Sequence, residues 1–276
     1  MRKICVINQK GGVGKTTTAV SVAAGLARND KRVLLIDMDP QGDVAHSLAT
    51  NKEKSLYDFL TGKCSLPECT SVLGKNLDII HSTDNLTKIN VFLAKHDNPA
   101  LVLKKQFLSL QGYDYIIIDC QPSLSLLNQS IMAYADEAMI PVATTYLSYT
   151  GLEVMYEAIK EINRYFDHSL EIKYIVPTLH DKRNKLNKEI HAELKKVYGK
   201  LVTNPIRINS KLSEAPQAGK SIYSYAPSSR GAKDYLDLVN NVISSEKPKK
   251  VVQQQSFVEP ISVRVQRMMK DVEIED

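Results

Sequence analysis

Lys10-Gly-Gly-Val-Gly-Lys15-Thr16-Thr17 follows directly on the apolar run Ile4–Ile7. A strand that runs into a glycine-rich turn and ends in Lys-Thr at a helix start is a phosphate cradle. Backbone N–H groups approach an anion where no Cβ intervenes, and the helix N-terminus adds partial positive charge. Gly11, Gly12, Val13 and Gly14 form the turn, Lys15 reaches the β- and γ-phosphates, and the Thr16 hydroxyl holds Mg²⁺, with Thr17 beside it. The pattern G-x-x-x-x-G-K-[ST] is departed from at its first position, where Gln9 stands, and an extra cation, Lys10, opens the loop. A dinucleotide-binding turn would need G-x-G-x-x-G. Its third glycine is missing here, and Lys15 stands where no lysine is wanted.

Outward from this loop, short β-rich runs alternate with helical patterns. Lys3–Asn8, Arg32–Asp37, Leu77–His81, Tyr113–Asp119, Glu137–Val142 and Glu171–Pro177 are expected strands. Several are continuously apolar, as strands buried on both faces are. Lys15–Asn29, Thr150–Phe166 and Ser229–Ser244 are expected helices. The alternation predicts an α/β fold, a doubly wound and mainly parallel sheet with helices on both faces. Ligands of such sheets bind at the C-terminal strand ends.

Two acidic signals fall at those ends. The second strand closes on Asp37-Met-Asp39-Pro40-Gln41, two carboxylates that point the same way. One can order Mg²⁺ waters and the other can position an attacking water; Asp43 is expected to be a loop residue. Tyr113-Asp-Tyr-Ile-Ile-Ile-Asp119 has the form of a Walker B strand whose terminal carboxylate supports the Mg²⁺ shell. Cys120-Gln-Pro-Ser123 follows as a candidate switch loop that senses the γ-phosphate.

The bulk numbers set bounds. With 276 residues and 43% hydrophobic content, the chain can bury a full core. No apolar run approaches the roughly 18–20 residues of a membrane span. Met1 leads almost at once into the first strand, so no signal peptide is expected. Cys5, Cys64, Cys69 and Cys120 match no disulfide framework or zinc spacing and are expected to be free thiols in a reducing cytoplasm. Net charge is +5, yet Asp181–Lys211 alone carries nine basic residues (Lys182, Arg183, Lys185, Lys188, Lys195, Lys196, Lys200, Arg207, Lys211) against three acidic ones. The remainder is therefore close to neutral, and the basic segment is a candidate polyanion-binding face. One domain is expected over 1–245. Residues 246–276 are expected to form a polar linker and a tail in which Ile261, Val265, Met268 and Val272 share one helical face.

Over about residues 1–245 the chain resembles the ParA/Soj-type partition ATPases of the ParA/MinD superfamily, whose deviant P-loop carries a second lysine where Lys10 stands. Leu35–Gln41 resembles the family's switch I, Tyr115–Ser123 its Walker B and switch II, and Leu179–Leu186 a basic loop-helix. The stretch Lys211-Leu-Ser-Glu-Ala-Pro216, Gly219-Lys220 and Tyr225–Ala232 resembles its late signature. The resemblance implies an ATPase that binds ATP and Mg²⁺ and forms an ATP-dependent homodimer. Lys10 would reach the partner's phosphates in the manner of an arginine finger. It further implies Asp39 as the residue assisting the hydrolytic water, Asp37 and Asp119 around the metal, and Asn209 on the adenine. Arg183 and Lys211, with Lys185 and Lys188 as neighbours, would contact DNA. Two departures stand out: Gln121 occupies a position where the family usually has proline, and Arg207-Ile-Asn-Ser-Lys211 replaces Pro-Arg-Asn-Val-Arg.

The function so implied is partition of DNA. Two chains joined by ATP pool their basic faces on non-specific double-stranded DNA at the cytoplasmic nucleoid, and hydrolysis stimulated by a ParB-like centromere-binding protein releases them. No helix-turn-helix precedes the P-loop, so sequence-specific binding is not expected. The alternative is a MinD-like membrane-cycling ATPase attached through the Ile261–Ile274 helix. That helix lacks aromatics and ends in Glu273-Ile-Glu-Asp276, which anionic lipid repels. An iron–sulfur carrier on the same fold would need cysteines at other spacings.

Overall fold

The computed structural model describes residues 1–246, of which Met1–Ile243 forms one compact unit. The expected linker and tail with its Ile261–Ile274 face lie outside the described residues, apart from Glu246. Seven strands build one sheet: β1 (Arg2–Val6), β2 (Val33–Met38), β3 (Thr70–Leu73), β4 (Leu77–Ile80), β5 (Tyr115–Cys120), β6 (Glu137–Ala143) and β7 (Glu171–Thr178). Their spatial order is β3-β4-β2-β5-β1-β6-β7, and every pairing is parallel except β3 with β4. The expected doubly wound, mainly parallel α/β sheet is thus the one observed.

Strands β2 and β5 are buried along their whole length, which is why they are apolar at every position but their acidic ends. Alternate residues serve opposite layers, as the two-residue strand period requires. Leu34, Ile36, Ile116 and Ile118 pack into a core with Leu127, Ile131, Leu152 and Ile159. Val33, Leu35, Tyr115 and Ile117 pack on the other side with Ala19, Val22, Leu26, Leu238 and Val239. On that second face the helix Lys15–Arg28 lies close to the helix Arg230–Ser244. A Cβ on Gly25 would come within 2.6 Å of Val239 Cγ2 and 2.8 Å of Tyr223 Oη, so only glycine permits the approach. Thr18 Oγ1 and Tyr235 Oη complete the contact with a buried hydrogen bond of 3.0 Å.

The differences from expectation are local. Strand β3 has no strand-length apolar pattern, since it is four residues long and leaves Val72 74% exposed. It exists because β4 offers it an edge. The helix expected from Thr150 begins at Tyr146. Strand β1 stops at Val6, and Asn8 leaves the ladder to bond the next strand with its side chain. Among the described residues, no helix is long and apolar enough to cross a membrane.

Candidate nucleotide-binding site

The glycine-rich loop is fixed at both sides by buried polar residues. Asn8 Nδ2 donates to the Pro141 carbonyl of β6 (2.8 Å), while Asn8 Oδ1 accepts from Lys10 N (3.0 Å). Thr178 Oγ1, at the end of β7, donates to the Val13 carbonyl (2.8 Å). Gly12 and Gly14 have φ of 70° and 86°, the left-handed region that glycine enters without strain. A Cβ at Gly11 or Gly12 would meet nothing within 4 Å, so the loop's backbone faces open space. The helix Lys15–Arg28 starts at Gly14 with no side-chain cap and no acidic residue in its first turn. Its N–H groups are left for an anion.

Lys15 is 7% exposed, and its ammonium folds back to donate to the Lys10 carbonyl (3.0 Å). Burial holds its pKa below the ordinary lysine value, against the pull of Asp119 and Asp39. Asp119, at the end of β5, is 1% exposed, and neither of its oxygens has a donor in hydrogen-bonding geometry. Burial drives its pKa upward; the nearby Thr16 hydroxyl and the Lys15 charge lower it, and Asp39 and Asp43 raise it further. Asp37 lies beside it, fully buried, and burial together with Asp119 raises its pKa well above the usual carboxylate range. Its oxygens accept from Asp39 N (3.0 Å) and Val44 N (3.3 Å). Asp37 thereby staples the loop that carries Asp39, which itself accepts from Gln41 N (3.1 Å). Asp43 opens the short helix Asp43–Leu48, where a loop position was expected.

The switch after β5 is organised by a residue that the sequence did not single out. Asn128 is fully buried and its amide donates to the carbonyls of Gln121 (2.8 Å) and Ser123 (2.5 Å). Gln121 Nε2 donates to Ser125 Oγ (2.7 Å), which also accepts from Asn128 N (3.3 Å) to cap the following helix. A side-chain hydrogen bond thus holds the turn where a proline would have held it by its ring. Ser123 Oγ, Asn128 Oδ1 and Gln9 Nε2 are buried without partners, as are the Asp119 oxygens. Buried polar groups are ordinarily paired, and these fit a polar occupant with a cation beside it. Among the described residues no three His, Cys, Asp or Glu side chains form a metal cage.

The remaining expected residues lie on the β7 side. Strand β7 runs to Thr178, and His180 pairs in a parallel bridge with Arg207, which brings the 180–188 segment and the 206–211 segment together. Asn209 Oδ1 accepts from Lys211 N (2.9 Å), so its carbonyl oxygen shapes its own turn. Arg183 is 91% exposed and bonds Asp181 (3.0 Å); Lys185 is equally exposed, 3.8 Å from Glu189. Lys211 pairs with Glu214 (2.6 Å), and Lys182 and Lys188 are exposed. Arg207 does not belong with these cations. Its guanidinium grips Asp234 with contacts of 2.5–3.1 Å, and its backbone N–H donates to the same carboxylate (2.9 Å). Asp234 lies 27 residues away, beyond the reach of any local pattern. The surplus of the basic segment is therefore smaller in the fold than in the sequence.

The model of a family described as an AAA domain matches residues 1–172. Sporulation initiation inhibitor protein Soj of Bacillus subtilis is 38% identical over 250 residues, covering 88% of this chain and 98% of Soj. Among solved structures, cobyrinic acid a,c-diamide synthase of Mycobacterium smegmatis with bound ATP analogue and magnesium is 25% identical. It has a TM-score of 0.76 and covers 88% of this chain and 94% of that one. An ATP complex of a Cyanothece McdA variant, at 22% identity, shares the fold with a TM-score of 0.79, covering 90% and 98% of the two chains.

Proposed function

The chain belongs to the ParA/Soj family of ATPases, and on that premise we propose that it is an ATP-dependent DNA partition ATPase. One observation carries the reading: Lys15, Thr16 and the buried acids Asp37 and Asp119 converge at the C-terminal ends of β1, β2 and β5. The diamide synthase bound to an ATP analogue and magnesium supports ATP and Mg²⁺ as the ligands.

In this reading the N–H groups of Gly11–Thr17 hold the phosphates and Lys15 leaves the Lys10 carbonyl for the β- and γ-oxygens. Thr16, with Asp37, Asp39 and Asp119, would hold Mg²⁺. When bound, the metal would supply positive charge against the phosphate oxygens. Asp39 orients the attacking water, and the staple from Asp37 keeps it in place. Lys10 reaches the phosphates of a second chain, making ATP the bridge of a homodimer. Asn209 contacts the adenine with its amide group, its oxygen being engaged with Lys211 N.

Arg183, Lys185, Lys188 and Lys211 form the DNA face. Each single face binds weakly, and joining two raises the effective concentration of one for the other. Triphosphate binding then switches DNA affinity on, hydrolysis switches it off, and a ParB-like partner sets the timing at the nucleoid. Such contacts are to phosphates, so log K falls by roughly 0.9 per phosphate per log unit of salt.

Light scattering on the purified protein tests the dimer. ATP with Mg²⁺ is expected to double the mass and ADP to leave it unchanged. A mass that ignores the nucleotide contradicts the sandwich.

A further inference from the structure

The loop Gln121–Ser125 leads from β5 to the helix Leu126–Met132, and side chains of that helix's first turn tie it down. The Asn128 amide nitrogen donates to the carbonyls of Gln121 and Ser123, at 2.8 and 2.5 Å. Gln129 Nε2 donates to the Leu124 carbonyl (3.1 Å). Ser125 Oγ accepts from Gln121 Nε2 (2.7 Å) and from Asn128 N (3.3 Å). The helix that holds the loop is itself anchored. Leu127 and Ile131 are buried in the core, and Leu127 N donates to Asn90 Oδ1 (3.1 Å).

Two carbonyls facing one side chain need two N–H donors on one atom. An amide supplies them, whereas a hydroxyl has one donor and an ionised carboxylate none. Asn128 is fully buried, so water does not replace its bonds once they are lost. The need for it arises at Gln121. A proline there would fix its own φ near about −65° by its ring. Glutamine leaves that torsion to be held from outside. Pro122 biases the residue before it towards extended backbone but selects no single geometry.

We propose that Asn128 is a positioning residue for ATP hydrolysis, holding Gln121–Ser125 so that the Ser123 hydroxyl is presented to the γ-phosphate end of the nucleotide site. The loop begins two residues after Asp119, where β5 ends. Ser123 Oγ is buried without a partner, and so is Gln9 Nε2 just ahead of the glycine-rich loop. Ser123 therefore keeps a donor uncommitted in a segment whose backbone is fixed on both sides of it. Asn128 acts through that segment, since both of its amide N–H groups are spent on it. This role rests on residues 121–123 being the γ-phosphate side of the site and on ATP hydrolysis, not on DNA binding. A chain that binds no DNA leaves it intact.

The test uses the full chain and reads the tether apart from its consequence. Amide hydrogen exchange of the nucleotide-free protein reads the tether. Steady-state hydrolysis and calorimetry with a non-hydrolysable ATP analogue read the consequence. Asn128→Ala should speed exchange within 121–125 at least about tenfold while β1 and β5 stay protected. It should lower kcat at least about tenfold and leave the analogue's Kd within about twofold. Adding Gln121→Pro to Asn128→Ala should restore most of kcat, because the ring then holds the turn. Ser125→Ala, at a half-buried position, should lower kcat in the same direction and keeps the test open if Asn128→Ala does not fold. Unchanged kcat in either single variant overturns the proposal, as does analogue affinity falling together with kcat, or no recovery on adding Gln121→Pro.

Discussion

Asp37 and Asp119 are register partners on the adjacent parallel strands β2 and β5, two buried carboxylates side by side at the strand ends. Neighbouring strands lie only about 4.8 Å apart, and the charge of Asp119 adds to burial in raising the pKa of Asp37, while Lys15 offsets part of the rise at Asp119. The two buried acids therefore carry an electrostatic cost, which a divalent cation held there would relieve.

The pH dependence follows from that cost. Both acids have folded-state pKa values above the ordinary 3.8, so the folded chain holds protons that the unfolded chain has released. Their contribution to stability is complete below the unfolded pKa and is lost as pH rises through the raised folded values. Asp119→Asn should remove this loss and raise the nucleotide-free stability at neutral pH by roughly 1–3 kcal/mol. The same change should abolish Mg²⁺-dependent nucleotide binding. The measurement is the difference in thermal midpoint between variant and wild type across pH, since Asp58 and Glu214, whose pKa values are lowered, act in the opposite direction. A variant no more stable than wild type at neutral pH removes the argument.

Lys15→Ala deletes a cation whose hydrogen-bond partner in the nucleotide-free protein is the Lys10 carbonyl. A charge-assisted bond to phosphate is worth about 1.5–3 kcal/mol, so ATP affinity should fall roughly 10–100-fold by calorimetry while the fold stays intact. Unchanged affinity would remove the phosphate assignment.

Much of this site was legible in the sequence because its parts are local. A glycine turn, a lysine and a threonine within eight residues can be read from spacing, and so can an acid that ends an apolar run. The parts that were not legible act over distance. Asn128, which ties the switch loop through two carbonyls, carries no local signal of that duty. Asn8 carries a faint one, as a polar residue closing an apolar run. Arg207 reads as a surface cation until Asp234 is found against it. Strand β3 was missed because a four-residue edge strand depends on its neighbour more than on its own side chains.

Asp39→Ala removes the carboxylate expected to orient the attacking water and should lower kcat by about 10²–10⁴-fold. ATP binding should persist, leaving a long-lived triphosphate dimer in light scattering. Its carboxylate also accepts from Gln41 N, so the thermal midpoint should be followed alongside. Normal turnover would assign Asp39 to the turn alone.

Arg207 and Arg183 should behave as opposites although both are arginines of one basic segment. Arg207→Ala strips the buried Asp234 of its partner and should cost about 1–3 kcal/mol of stability without changing the salt slope of DNA binding. Arg183→Glu should spare stability and ATP-dependent dimerisation, weaken DNA binding, and lower the salt slope by about one. Equal effects on DNA from both variants would misplace the interface.

The most direct test of the partition reading is binding of a non-specific DNA duplex by the full chain at two salt concentrations. It should be run with no nucleotide, with ADP, with ATP, and with a non-hydrolysable ATP analogue, all with Mg²⁺. Tight binding with the triphosphates alone, falling steeply with salt, is the predicted result. Binding that is absent in every state, or equally strong without nucleotide, would contradict it.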